Sequence, residues 1–467
     1  MAAFGRAVSA LVGAAADVFY RRRVLAGAVP PRGPVLLVAN HPNGLLDPVL
    51  VQQAARRRVR MLAKAPLFSM PGISLLVRAL DCLPVFRAKD GADTTQNAET
   101  FRAVEQALVD SDCVLIFPEG ISHDEPQLQP LKTGAARMAL GAVARGAGEL
   151  LIVPVGLTYA DKLRFRSTAA VEVGRPLRVQ DFAAATSDEE DQRTAARALT
   201  GAIHDALRAV TVNVESWEDV ALLDAVDAVW RQDDPERTRR IKQLADGVAR
   251  LRGCAPEALD DVRARLAAWV DALAAAGLTP RDVARDGLAA ASHRQRLGVA
   301  ARQIGAAFVA LPLAAGGAAF WATPFWAVHG VWRAMRPERD VGATVKVIAG
   351  VVFFPLWYVG AVALTASATG LAWGALLALV APGAGLTTRH YLRRRAFVLR
   401  ALGGALRLRL KGRALTDLLD ERDALCRTFD ELAVLAEDRA GLPAGKAGAQ
   451  ADEREGGSGN RAATAGV

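Results

Sequence analysis

A chain of 467 residues is too long for one ordinary core and has room for two or three domains, and its 52% hydrophobic and 23% charged residues are a globular balance. Four widely spaced cysteines, Cys82, Cys113, Cys254 and Cys426, contain no Cys-x-x-Cys pair, so neither a zinc site nor a disulfide framework is indicated and reduced thiols are the simplest reading. The net charge of +9 lies largely in arginine clusters at 21–23, 56–60 and 393–395, which attract anions, but without zinc-finger spacing, an aromatic RNA-binding signature or a compact basic domain nucleic acid is not the expected partner.

Residues 1–29 open with an apolar stretch followed, not preceded, by Arg21-Arg22-Arg23, which argues against a cleaved signal peptide. Phe4, Leu11 and Val18 recur seven apart on one helical face, as in an amphipathic helix lying on a membrane or in an ordinary packing helix.

Residues 30–185 alternate short apolar strands with helices, the pattern of an α/β domain with a mixed sheet flanked by helices. Strands are predicted at 35–39, 59–62, 82–86, 114–117, 151–158 and 171–173, and helices at 48–55, 95–109 and 134–144. The arginines at 56–60 read as a solvated face or as a docking patch for a membrane or an acidic carrier protein.

From 186 to 300 the chain turns charged, alanine-rich and helical in period, with Trp217, Trp230 and Trp269 as candidate core anchors and no reactive constellation. The segment 301–390 is different: Ile304 to Trp332 and Val347 to Thr388 contain no Asp, Glu, Lys or Arg. The second run is long enough for a hairpin of two membrane spans broken near 366–370, and the first, with Pro312 and Pro324, for one kinked span or a re-entrant pair. Arginine on both flanks predicts an even number of crossings with those flanks, and the catalytic domain, on the cytoplasmic side. A basic C-terminal helix is expected over 391–440 and a disordered tail over 441–467.

The chemistry lies where the first predicted strand ends, in Asn40-His41-Pro42-Asn43-Gly44-Leu45-Leu46-Asp47-Pro48. Polar groups at a strand end of an open α/β sheet face the usual ligand crevice. Acyl transfer to an alcohol requires the hydroxyl to lose its proton as it attacks, and a neutral imidazole suits that task. His41 fits the role, and Asp47 can bond its other ring nitrogen and stabilise the imidazolium. Three further segments follow. Leu83-Pro84-Val85-Phe86-Arg87 ends a strand with a guanidinium suited to a phosphate. Phe117-Pro118-Glu119-Gly120 offers a carboxylate for a hydroxyl and a glycine that lets backbone N–H groups approach an anion. Lys132 and Arg137 flank a helix start, favourable for a negative group. Val153-Pro154-Val155-Gly156-Leu157 supplies one more strand.

This ordered set resembles the glycerolipid acyltransferases that acylate glycerol 3-phosphate, dihydroxyacetone phosphate or lysophosphatidic acid. The resemblance covers roughly residues 30 to 180. It implies His41 as catalytic base with Asp47 as partner, Arg87, Glu119 and Gly120 in the phosphate and glycerol site, a thioester co-substrate (acyl-CoA or acyl-carrier protein), membrane lipid as a partner, and no metal or other cofactor. Two departures stand out. Five residues separate His41 from Asp47 where the family usually has four, so the turn must bulge; a branch acting on glycerol 3-phosphate or dihydroxyacetone phosphate is similar in this and in having a hydrophobic hairpin after the catalytic domain. The family's usual Gly-Thr-Arg-Ser is here Gly120-Ile121-Ser122-His123, so a phosphate-binding arginine is missing at 122, with Lys132 or Arg137 as substitutes. His123 and Asp124 read as a loop or substrate contact, or as a second acid–base pair. The changed motif leaves open another lysophospholipid or lipid alcohol as acceptor, and a non-catalytic lipid-binding membrane protein is the remaining alternative.

Overall fold

A computed structural model describes residues 2–69, 73–86, 97–183, 188–214, 237–276 and 293–438 except 411, with scattered residues between 219 and 283. Arg87, Trp217, Trp230 and the tail lie outside the described residues. The chain divides into two compact units, Met1–Asn213 with Pro312–Arg389, and Val214–Leu311 with His390–Val467.

In the first unit helix α1 (Ala2–Phe19) leads into β1 (Arg21–Ala26), β2 (Val35–Ala39), α2 (Leu46–Ala55), β3 (Arg60–Lys64), α3 (Ile73–Ala79), β4 (Leu83–Val85), α4 (Asn97–Val109), β5 (Cys113–Ile116), α5 (Gly134–Ala144), β6 (Leu151–Tyr159), β7 (Thr168–Val173), β8 (Leu177–Arg178), α6 (Gln180–Ala183) and α7 (Glu189–Val210). The sheet runs β1-β7-β6-β2-β5-β3-β4, with β8 on β6; β6 is antiparallel to β7 and β8, and the other pairs are parallel. It is thus the mixed, helix-flanked sheet that the sequence predicts.

Every residue of β2 is buried, because this central strand is covered on both faces. Val35, Leu37 and Ala39 point to one side, packing with Phe19 of α1 and Leu46 and Leu50 of α2. Leu36 and Val38 point to the other, against α4, α5 and the Leu199, Ile203 and Leu207 stripe of α7. Helix α7 is capped by Asp188, whose side chain accepts from the Asp191 N–H at 2.8 Å.

The helix expected over 1–29 stops at Phe19, and Arg21 to Ala26 add a strand to the sheet edge beside β7. Three successive arginines gave no sign of a strand because the signal is the pairing itself: Arg21 to Arg23 meet Thr168 to Ala170 in parallel register. Arginine is well suited to an edge, where charge discourages pairing with another chain.

Helix α8 (Arg237–Cys254) and helix α9 (Pro256–Ala275) belong to the second unit, whose core joins Leu266, Trp269 and Leu273 to Leu425 and Phe429. Trp269 is the anchor the sequence points to; its Nε1 donates to Leu418 O at 2.9 Å. Three long helices follow, α10 (His293–Met335), α11 (Arg339–Thr369) and α12 (Leu371–Leu410), then α13 (Gly412–Asp438).

Phe308–Met335, Val341–Thr369 and Leu371–Leu392 are each long and apolar enough to cross a membrane. Among the described residues three helices meet this length and composition, and the second and third form the hairpin expected from the 347–388 run. The break between α11 and α12 is Gly370, at φ 102°, inside the predicted interval. Two prolines explain the aromatic residues nearby. Proline lacks an N–H, so Pro324 frees the carbonyl of Phe320 and Pro382 that of Ala378. Trp357 Nε1 donates to Phe320 O at 2.9 Å and Tyr358 OH donates to Ala378 O at 2.7 Å, so neighbouring residues of α11 repair both gaps. The start of α11 packs on the α/β domain: Ala343 and Val347 join the core beneath α1 and α2, and Lys346 Nζ donates to Leu163 O at 3.0 Å.

Candidate active site

The His41 turn sits between the end of β2 and the start of α2. Asn40 fixes the strand end through both groups of its amide, Nδ2 donating to Leu157 O at 3.0 Å and Oδ1 accepting from Leu157 N–H at 2.8 Å. The five residues before Asp47 close compactly, with Gly44 in the left-handed region at φ 41° and Leu46 N–H donating to Asn43 O at 3.0 Å. Asp47 falls in the first turn of α2, where a carboxylate is favoured by the helix dipole.

His41 Nδ1 lies 2.9 Å from Asp47 Oδ2. The carboxylate is acceptor-only, so Nδ1 carries the proton and Nε2 is left with its lone pair. The ring stacks on Phe117 with centroids 3.9 Å apart, which restricts its rotation. Asp47 is fully buried, and such a charge needs donors. It also accepts from the Asn43 N–H at 2.6 Å and from the Tyr159 hydroxyl at 2.5 Å. Asn43 Nδ2 in turn donates to Tyr20 OH at 2.8 Å, and Tyr20 OH donates to Lys162 O at 2.5 Å. Burial first, then the Asp47 charge, pushes the Tyr159 hydroxyl well above the ordinary phenol range, so it remains a proton donor.

Glu119 is drawn into the same centre but not as a free ligand. Its carboxylate is buried, accepts from His41 N–H at 3.1 Å and from Gln129 N–H at 2.7 Å, and lies 2.5 Å from His123 Nε2. His123 Nδ1 accepts from Glu125 N–H at 3.2 Å, so Nε2 is the donor toward Glu119. Glu119 therefore braces the His41 turn against the loop after β5. Asp124 pairs with Lys162 and, at 3.3 Å, with Arg339, so His123 and Asp124 face different partners and form no acid–base pair. Lys162 Nζ also donates to Pro42 O at 2.7 Å, pinning the motif turn.

Gly120, at φ 72°, carries Lys132 across it, the Nζ lying 2.8 Å from where a Cβ would be. Lys132 is exposed and adjoins the start of α5, so its charge is available at the rim beside Glu119. Arg137 lies on the exposed side of α5 over the Phe101 ring at 5.3 Å, and none of its described contacts ties it to His41 and Asp47. Among the described residues, no three His, Cys, Asp or Glu side chains gather as a metal site requires.

Tyr159, Tyr20, Asn43 and Lys162 complete the site without belonging to the set of candidate residues read from the sequence. The available signal was the end of the 151–158 strand, where apolar alternation gives way to Thr158-Tyr159-Ala160-Asp161-Lys162 beside the crevice.

Residues 23–158 match the acyltransferase family model. An uncharacterized acyltransferase of Schizosaccharomyces pombe is 26% identical, over 46% of this chain and 45% of that protein. Glycerol-3-phosphate O-acyltransferases 2 and 1 of Saccharomyces cerevisiae are 37% and 35% identical, over 30% and 27% of this chain and 19% and 17% of theirs. The chain thus spans less than half the length of the curated relatives it matches. A crystal structure of the 1-acyl-sn-glycerophosphate acyltransferase of Thermotoga maritima is 16% identical with a TM-score of 0.32, covering 43% of this chain and 78% of that one.

Proposed function

We propose that the chain, whose residues 23–158 match the acyltransferase family model, transfers a fatty acyl group from a thioester to a hydroxyl of a glycerophosphate acceptor. The observation that carries this reading is the 2.9 Å contact between His41 Nδ1 and buried Asp47, which leaves Nε2 as a base. As the acceptor oxygen attacks the thioester carbonyl carbon, its proton passes to His41 Nε2 and Asp47 stabilises the imidazolium. Collapse of the tetrahedral intermediate breaks the C–S bond, and the departing thiolate takes up the proton from Nε2. The balance is an ester and a free thiol, with no redox step.

Lys132, lying across Gly120 beside the start of α5, is the cation suited to the acceptor phosphate, so the phosphate site is assigned to this rim. The names of the yeast relatives favour glycerol 3-phosphate as acceptor. For the donor, acyl-CoA and acyl-carrier protein have the same thioester chemistry. The base of the α11–α12 hairpin carries Arg339 and Arg389, next to Arg333 and Arg336 at the end of α10, while its tip at Gly370 carries no charge, which supports a membrane enzyme with its catalytic domain on the cytoplasmic side.

The test is purified protein in lipid nanodiscs with labelled acyl-CoA or acyl-carrier protein and a panel of acceptors: glycerol 3-phosphate, dihydroxyacetone phosphate, lysophosphatidic acid and lysophospholipids without a terminal phosphate. Transfer is expected only to acceptors with a phosphate monoester. Preference for a lysophospholipid lacking one would contradict the assignment of Lys132, and no transfer from either donor would contradict the enzyme.

A further inference from the structure

The buried side of the His41–Asp47 pair is polar and built from elements far apart in the chain. Asp47 Oδ2 receives His41 Nδ1 and the Asn43 N–H, whereas Oδ1 receives the Tyr159 hydroxyl. Tyr159 is the last residue of β6 and pairs with Ala169 of β7, so the sheet fixes where its ring points. Its ring also packs against Tyr20, centroids 5.2 Å apart, and Tyr20 is held by Asn43 and Lys162 O. A ring needed only to fill space would require no hydroxyl directed at a carboxylate.

We propose that Tyr159 is a positioning residue that holds Asp47 and takes up part of its charge, and so governs how readily His41 accepts a proton. A short O–H···O⁻ bond is among the stronger hydrogen bonds and draws charge toward the donor. Charge shared with Tyr159 is charge withheld from the imidazolium. The hydroxyl also turns Oδ2 toward Nδ1, because a carboxylate anchored at one oxygen and at the Asn43 N–H cannot rotate. The titratable and charged groups around this hydroxyl are Asp47 and His41 of the motif turn, Tyr20 after α1, Asp161 and Lys162 after β6 and, on the far side of that loop, Lys346 of α11. Burial keeps Tyr159 and Tyr20 protonated, so neither supplies a competing charge at ordinary pH.

The inference rests on the acyl-transfer reading only in taking His41 as the base, and one of its readouts needs no turnover. In Tyr159→Phe, kcat/KM is expected to fall about 10- to 100-fold, and the acidic limb of its pH profile to move up by about half a pH unit or more as Asp47 loses a donor. Nitrogen-15 NMR of the His41 ring in the full-length protein should show its titration moving the same way. Placing 3-fluorotyrosine at 159 keeps the shape and makes the hydroxyl a stronger donor, so limb and titration should move down; this variant also serves should Tyr159→Phe fail to fold. If both variants leave the acidic limb and the His41 titration at their wild-type positions, whatever happens to the rate, the proposal is overturned. Should the wild type transfer no acyl group, the acyl-transfer reading fails while the NMR titration still decides the role of Tyr159.

Discussion

Glu119 and Lys132, which the sequence offers in two successive segments as groups for the acceptor, meet at Gly120 but differ in what they can bind. The glutamate is consumed internally by His41 N–H, Gln129 N–H and His123, whereas the lysine across Gly120 is exposed to meet an anion. Lys132→Met is therefore expected to raise the KM for a glycerophosphate about tenfold or more, the loss of one charge-assisted contact, with a much smaller change in kcat. Steady-state kinetics with varied acceptor check this, and an unchanged KM would place the phosphate elsewhere. The pairing of His41 with Asp47 was legible in the sequence because they lie six residues apart on one turn. Tyr159 was not, since 112 residues separate it from Asp47 and only the placing of β6 beside β2 brings them together. His123 was misleading for a related reason: its neighbour in sequence is Asp124, but its partner in space is Glu119.

Elements were readable wherever burial imposed a period. Helix α5 spans Gly134–Ala144, as predicted, and β2 spans Val35–Ala39, because an apolar run bounded by glycine and proline leaves few alternatives. The edge strand β1 was not readable, since its stability comes from β7 rather than from its own side chains. In the apolar helices the prolines were visible but the side chains that compensate for them were not. Trp357→Phe and Tyr358→Phe each remove one donor from a carbonyl freed by proline, and each is expected to cost about 0.5–1.5 kcal/mol. Denaturation in mixed detergent micelles measures this. No loss in either variant would mean that the carbonyls find other partners.

At the scale of the molecule, α11 links the α/β domain to the apolar helices, with Ala343 and Val347 in the domain core, Arg339 on Asp124, and the rest of the helix apolar out to Gly370. The break near 366–370 was legible from composition alone, whereas the docking of the helix start, which includes Lys346, reads in sequence as the edge of a charged stretch. With the four native cysteines replaced, Arg336→Cys should react with an impermeant thiol reagent from the cytoplasmic side and Ala368→Cys only from the opposite side. The reverse pattern would invert the orientation, and labelling of both from one side would deny that α11 crosses. The measurement closest to the central claim is single-turnover acyl transfer in nanodiscs by wild-type protein and by His41→Ala, both shown to be folded. The wild type should form ester and free thiol, and the variant should be slower by about a hundredfold or more, consistent with loss of a general base, while still binding the acceptor. A variant that transfers at the wild-type rate would show that His41 is not the base.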